Sequence, residues 1–280
     1  MITFSKISDT TTFVNQQRGD GKTIGFVPTM GALHKGHLDL MNRAKQENDI
    51  LIVSIFVNPI QFNNPEDLEK YPRDLVADIE LLEKTGCDIL FVPSVTEMYP
   101  QEVIKKYDFG LLETVMEGAS RPGHFNGVAI VVSKLFAITL PHKAYFGEKD
   151  FQQLAIIKKL VEIEQISVEI VPCTTVREID GLAMSSRNKR LTDEERTVAP
   201  YIYQTLKFAK NNSSLTSPKL LRQQVIDRFN NMHEFDLEYF ELADDGNLQP
   251  IETWNSASGI MGFIVVMLGK VRLIDNIRII

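Results

Sequence analysis

Thr23-Ile24-Gly25-Phe26-Val27-Pro28-Thr29-Met30-Gly31-Ala32-Leu33-His34-Lys35-Gly36-His37-Leu38-Asp39-Leu40-Met41 runs from a strand pattern into a helix pattern through a glycine- and histidine-bearing turn. Thr23 to Val27 reads as a strand. Gly36 to Glu47 reads as a helix with Leu38, Leu40, Met41 and Ala44 on its apolar side. Outward from this unit the same alternation repeats. Ile50 to Val57 is a nearly unbroken apolar run, the mark of a strand covered on both faces. Leu68 to Thr85 reads as one helix, stopped by Gly86, and Asp88 to Val92 as a short strand closed by Pro93. Gly127 to Ile138 is rich in Val and Ile, yet its length and the strand at Lys143 to Phe146 favour a buried helix. Asp150 to Glu164 follows as a helix and Val168 to Val171 as a strand. Alternation of this kind implies an α/β fold with a Rossmann-like, doubly wound parallel sheet.

Near Arg177 the pattern changes. Arg177 to Arg190 is polar and reads as a loop. Thr192 can cap a helix that begins Asp193-Glu194-Glu195, acids that suit a helix N-terminus. Asn211 to Ser217 reads as a turn, and Pro218 opens a helix to about Asn231. Strand-like segments follow at Leu237 to Leu242, Gly259 to Leu268 and Val271 to Ile274. The expected division is therefore a first domain over 1–176 and a smaller C-terminal α/β domain over 177–280.

With 44% apolar and 24% charged residues the chain can bury an ordinary core. The longest apolar run, Ile260 to Leu268, is far short of the roughly 18 residues of a membrane span. Met1 to Thr12 lacks the basic and apolar regions of a signal peptide, so a cytoplasmic location is expected. A net charge of −7 without a Lys/Arg-dense run disfavours nucleic acid. Cys87 and Cys173 have no metal-ligand spacing and read as buried, reduced thiols.

Four blocks carry chemistry. In the first, Met30 to His37, the amides of a helix N-terminus attract phosphate. Gly31 and Gly36 have the GxxxxG spacing of a P-loop, but His37-Leu38 stands where Lys-Ser/Thr is required. Imidazoles therefore replace the P-loop lysine, and His34 and His37, three apart, share one face of the first turn. No third ligand is spaced for zinc. The second block, Phe56 to Phe62, places Asn58 and Gln61 past the end of a buried strand, where uncharged amides suit hydroxyl groups. The third, Ala144 to Gln153, offers Lys149 to neutralise phosphate, Asp150 to cap a helix or meet a ribose hydroxyl, and Gln153 one turn on. The fourth, Met184-Ser185-Ser186-Arg187, combines hydroxyls with a guanidinium suited to a phosphate clamp.

These blocks, together with Tyr71-Pro72-Arg73 and Arg121-Pro122-Gly123-His124-Phe125, resemble the pantothenate synthetase family over nearly the whole chain. The resemblance implies that ATP, (R)-pantoate and β-alanine give pantothenate, AMP and pyrophosphate through pantoyl adenylate. It implies ATP contacts at Met30, Gly31, Ala32, Leu33, His34, Lys35, Gly36 and His37, and at Gly147, Glu148, Lys149 and Asp150. Val176, Met184, Ser185, Ser186 and Arg187 complete that set. His37 is implied as proton donor, with His34 and Lys149 assisting. Gln61 and Gln153 are implied pantoate ligands, Gln61 also near β-alanine, with Asn58 beside them. A lid role for the second domain, a homodimer and Mg²⁺ accompanying ATP are implied too. No motif fixes a metal ligand. Two other readings of the residues stay open here: a nucleotidylyltransferase acting on a phosphorylated acceptor, and a nucleotide-sensing module without chemistry.

Overall fold

A computed structural model describes all 280 residues. In chain order the elements are β1 (Ile2–Phe4), α1 (Ile7–Gly19), β2 (Ile24–Thr29), α2 (Lys35–Glu47), β3 (Ile50–Ile55), α3 (Pro65–Glu69), α4 (Leu75–Leu82), β4 (Ile89–Phe91), α5 (Val95–Met98), α6 (Met116–Ser120), α7 (His124–Thr139), β5 (Lys143–Gly147), α8 (Phe151–Glu164) and β6 (Glu169–Cys173). After these come α9 (Asp193–Val198), α10 (Tyr201–Asn212), α11 (Pro218–Asn230), β7 (Phe235–Asp244), β8 (Ile260–Leu268) and β9 (Val271–Arg278). Two compact units arise from this order. The first holds Met1–Phe109, Arg121–Glu148 and Gln153–Thr174; the second holds Gly110–Ser120, Lys149–Gln152 and Thr175–Ile280.

The first unit is built on a parallel sheet in the order β1-β4-β3-β2-β5-β6. From β2 the chain moves outward through β3 to β4, then returns to the other flank of β2 with β5. The switch point thus falls beside β2, and ligands of such sheets bind outside the carboxyl ends of the strands that flank it. Ile24 pairs with Ile50 and Val27 with Val53, and Ile24, Val27, Leu51 and Val53 are fully buried. That explains why β2 and β3 read as continuous apolar runs. Both thiols are buried and unpaired in any disulfide, and burial pushes Cys87 up to about 12.

Three features depart from the sequence reading. The helix read over Leu68 to Thr85 is broken: α3 ends at Glu69, and α4 starts at Leu75 after Asp74 caps it by accepting from the Ala77 amide at 3.0 Å. Pro72 supplies the break, since it cannot donate and pushes its predecessor toward extended backbone. Strand β1 and helix α1 carried no readable signal. The strand is three residues long, and α1 holds a Thr10-Thr11-Thr12 run of poor helix formers. Thr10 and Thr12 donate their hydroxyls to the carbonyls of Lys6 and Ser8 four residues back. Finally, Arg177 to Arg190 is more than a loop. Glu178 N–H donates to Leu182 O and Met184 N–H to Val176 O, closing a small hairpin whose tip, Gly181, has φ +97°.

In the second unit, β8 lies between β7 and β9 in an antiparallel sheet. Leu206, Leu221, Val225 and Phe229 of α10 and α11 pack with Leu242, Ile264, Val266 and Leu273 in one buried cluster. Thr192 forms the capping box of α9 with Glu195, and Pro218 stands at the start of α11. No helix is long and apolar enough to cross a membrane.

Candidate active site

The loop from β2 to α2 needs unusual backbone. Gly31 has φ +81° and Ala32 φ +51°, the latter in the left-handed region that side chains disfavour. Asp78 of α4, only 3% exposed, holds this shape: its two carboxylate oxygens accept from the Ala32 amide at 2.9 Å and the Leu33 amide at 2.7 Å. A Cβ at residue 31 would sit 2.8 Å from the same carboxylate, so the glycine there answers to Asp78 as well as to φ. Thr29 adds a further hold, its hydroxyl donating to Ser54 O at 2.8 Å and accepting from the Gly31 amide at 3.2 Å.

His34 is the N-cap of α2. Its Nδ1 accepts from the Gly36 amide at 3.1 Å, which puts the ring proton of the neutral imidazole on Nε2. His37 lies one turn on, its ring 4.1 Å from that of His34 and tilted by 34°. The first turn of α2 has no acidic residue. Two imidazoles and the positive end of a helix therefore share one place, and that turn brings no carboxylate of its own, an arrangement suited to phosphate.

The turn after β3 is fastened from three sides. Gln61 is 8% exposed and Asn58 1%. Asn58 Nδ2 donates to Gln61 Oε1 at 3.0 Å and to Gly127 O at 3.1 Å, while Asn58 Oδ1 accepts from the Tyr99 hydroxyl at 2.8 Å. Gly127 permits the close approach of α7: a Cβ there would lie 2.5 Å from Ile60 O and 2.7 Å from Gln61 Cα. His124 closes the third side. The Gln61 carbonyl 2.8 Å from its Nδ1 can only accept, so Nδ1 carries the proton and Nε2 accepts from Arg121 Nη1 at 3.2 Å. Gln61 Nε2 in turn donates to Met30 Sδ at 3.2 Å, so the amide block and the histidine block meet in the first unit. Gln153, half-buried, lies in the first turn of α8, and Gly147 ends β5 with Glu148 next in chain.

The remaining expected residues lie in the second unit. Lys149 is largely buried, with its Nζ 3.8 Å from Asp150 Oδ1, and its carbonyl accepts from Asn276 Nδ2 at 2.9 Å. Gln152 is 5% exposed; its Nε2 donates to Leu112 O at 2.7 Å and Val115 O at 2.9 Å, and its Oε1 accepts from the Glu117 amide. Glu117 is held by Arg272 at 2.7 and 2.9 Å and by the Tyr239 hydroxyl at 3.0 Å. Val176 and Met184 face each other across the base of the hairpin, followed by Ser185, whose hydroxyl accepts from the Arg187 amide at 3.2 Å, and by the buried Ser186.

Arg177 braces this hairpin from behind. It pairs with Asp275 at 2.6 and 3.0 Å, donates to Gly181 O and Asn276 O, and stacks on Tyr203 at 3.8 Å. Burial pushes the Asp275 carboxyl up while the Arg177 guanidinium pulls it down. Asp275→Ala would remove the buried carboxylate that pairs with Arg177 and accepts from the Asn276 backbone N–H. We expect the folded state to lose about 3–5 kcal/mol, read by urea denaturation.

Asp78, Tyr99, Asp275 and Asn276 therefore support the expected site residues without having been among them. Each acts on a partner about 40 to 130 residues away in the chain, and none stands in a block whose spacing suggests that partner. No group of three or more His, Cys, Asp or Glu side chains is placed to hold a metal ion, and both oxygens of Asp78 already accept from amides.

Comparison with known proteins bears on this arrangement. The family model described as pantoate-beta-alanine ligase matches residues 2–278. A pantothenate synthetase of Porphyromonas gingivalis is 48% identical over 278 residues, 99% of each chain. The crystal structure of pantothenate synthetase from Thermus thermophilus superposes with TM-score 0.93 at 40% identity, covering 100% of this chain and 99% of that one. That of the pantoate-beta-alanine ligase from Francisella tularensis, complexed with beta-gamma ATP and beta-alanine, gives TM-score 0.83 at 39% identity, covering 100% and 98%. The chain belongs to the pantoate–β-alanine ligase family, and the joining of pantoate to β-alanine is its reaction.

Proposed function

We propose that the reaction runs through pantoyl adenylate in the cradle between β2 and α2. A carboxylate is a poor acylating agent, and ATP supplies the leaving group. The (R)-pantoate carboxylate oxygen attacks the α-phosphorus of ATP, the bond to the β-phosphate oxygen breaks, and pyrophosphate departs. The β-alanine nitrogen then attacks the acyl carbon, the bond to AMP breaks, and the nitrogen gives up a proton as the amide forms.

Met30 to His37 and Gly147 to Asp150 bind the nucleotide, with Val176 and Met184 to Arg187. His37 acts as proton donor toward the phosphoryl oxygens, with the Nε2–H of His34 and the ammonium of Lys149 offsetting the charge that builds there. Gln61 and Gln153 bind pantoate; Gln61 also lies near β-alanine. Asn58 orients Gln61. Mg²⁺ accompanying ATP would be held mainly by phosphate oxygens and water rather than by side chains, and would add positive charge against the triphosphate. Residues 1–176 bind nucleotide and pantoate, and residues 177–280 serve as the lid that keeps water from the mixed anhydride. The enzyme works as a cytoplasmic homodimer, which a sizing measurement at micromolar concentration checks.

The observation that carries this reading is the contact between Gln61 Nε2 and Met30 Sδ, because it brings an amide suited to a hydroxy acid against the loop suited to phosphates. In the test, AMP and pyrophosphate are followed with ATP and pantoate, with and without β-alanine. Pyrophosphate equal to the enzyme concentration without β-alanine, and continuous AMP release with it, is the expected result. AMP release that ignores pantoate would refute the scheme.

A further inference from the structure

Gln61 can offer either side of its amide to a ligand, and a chain of hydrogen bonds decides which. The Gly127 carbonyl can only accept, so the Asn58 atom 3.1 Å from it is the amide nitrogen. That nitrogen also lies 3.0 Å from Gln61, which must therefore turn its oxygen toward Asn58. Asn58 Oδ1 is left facing the Tyr99 hydroxyl at 2.8 Å, so the phenol donates. Burial pushes the Tyr99 phenol well above its ordinary value, and it keeps that proton through neutral pH. The Gln61 N–H groups then point to Met30 Sδ, 3.2 Å away. A thioether is a weak acceptor, so of all these contacts this is the one an incoming oxygen displaces most easily.

We propose that Tyr99 is a positioning residue for the hydroxy-acid site: its hydroxyl locks the Asn58 orientation that the Gly127 carbonyl selects, and Asn58 in turn sets Gln61 to donate, so the ligand group met there is an oxygen that accepts. The proposal rests on the ligase reading only for the identity of that ligand as pantoate. The Tyr99 ring has its own supports, the Phe56 ring at 6.0 Å and the Lys134 ammonium 5.1 Å from its centroid. Loss of the hydroxyl therefore leaves the ring packed and acts on Asn58, whose oxygen is then buried without its donor.

Tyr99→Phe is the test, with steady-state kinetics for pantoate and ATP run side by side. The KM for pantoate should rise about tenfold, the scale of one buried hydrogen bond, while the KM for ATP stays within about twofold. In the absence of substrates, the side-chain amide ¹H–¹⁵N signals of Asn58 and Gln61 should shift from their wild-type positions. An unchanged KM for pantoate, or amide signals that coincide with wild type, overturns the proposal. If the wild-type enzyme shows no pantoate-dependent turnover, the ligase scheme has failed, and the amide signals alone decide the role of Tyr99. Should Tyr99→Phe not fold, Asn58→Asp sets an acceptor against the Gly127 carbonyl and Gln61 Oε1. It should give the same selective rise for pantoate, and equal rises for both substrates would count against the proposal.

Discussion

His37→Ala is expected to slow pantoyl-adenylate formation by about 100-fold or more, the scale of a lost donor aimed at charge that develops in the transition state. The measurement is single-turnover pyrophosphate release by rapid quench, with pantoate and ATP but no β-alanine, so that the second half-reaction cannot mask the first. Alanine is the best helix former, so α2 should keep its structure. The neighbouring histidine is a less clean target. His34 caps α2 through Nδ1, and truncating it would mix a catalytic loss with about 1 kcal/mol of helix stability. A single-turnover rate for His37→Ala equal to wild type would remove His37 from the chemistry.

Asp78→Ala should produce the second large effect, and on two readouts at once. It leaves the buried Ala32 and Leu33 amides without acceptors, at about 1–3 kcal/mol each. It also releases a loop whose Ala32 stands at φ +51°. Urea denaturation should show a loss of about 2–6 kcal/mol, and the KM for ATP should rise at least about tenfold. Asp78→Asn keeps one accepting oxygen but turns an NH₂ group toward an amide N–H, so it should fall between Asp78→Ala and wild type in stability. Wild-type stability and ATP binding in Asp78→Ala would mean that the loop holds its shape unaided.

The sequence made much of this molecule legible, for particular reasons. Val27, Leu51 and Val53 announce a doubly covered sheet because no water-facing side forces polar residues into β2 and β3. The histidine and glutamine blocks stood out as candidates because ligand sites of open α/β sheets collect where strands end. The break at Pro72 was legible in principle, since a proline and an Asp74 cap both stand there, but the regular spacing of Leu75, Ile79 and Leu82 masked it. The supports were hidden for a deeper reason. An aspartate at 78 looks like any helix aspartate until α4 is folded against the loop at 31–33. Gly127 looks like a flaw in a helix until α7 lies against the 59–61 turn. Tyr99 and Asn276 likewise acquire their roles only from the tertiary fold.

The pairing of Glu117 with Arg272 has a consequence for how the polypeptide is made. The two partners are separated by 155 positions, so at ribosomal speed roughly 8–30 s pass between their emergence. During that interval the 110–120 stretch has left the exit tunnel without the strand that anchors it, and Gln152 has no Glu117 backbone in place to bind. The C-terminal third therefore cannot mature as a self-contained late module: it must reach back and gather in two pieces synthesised long before it.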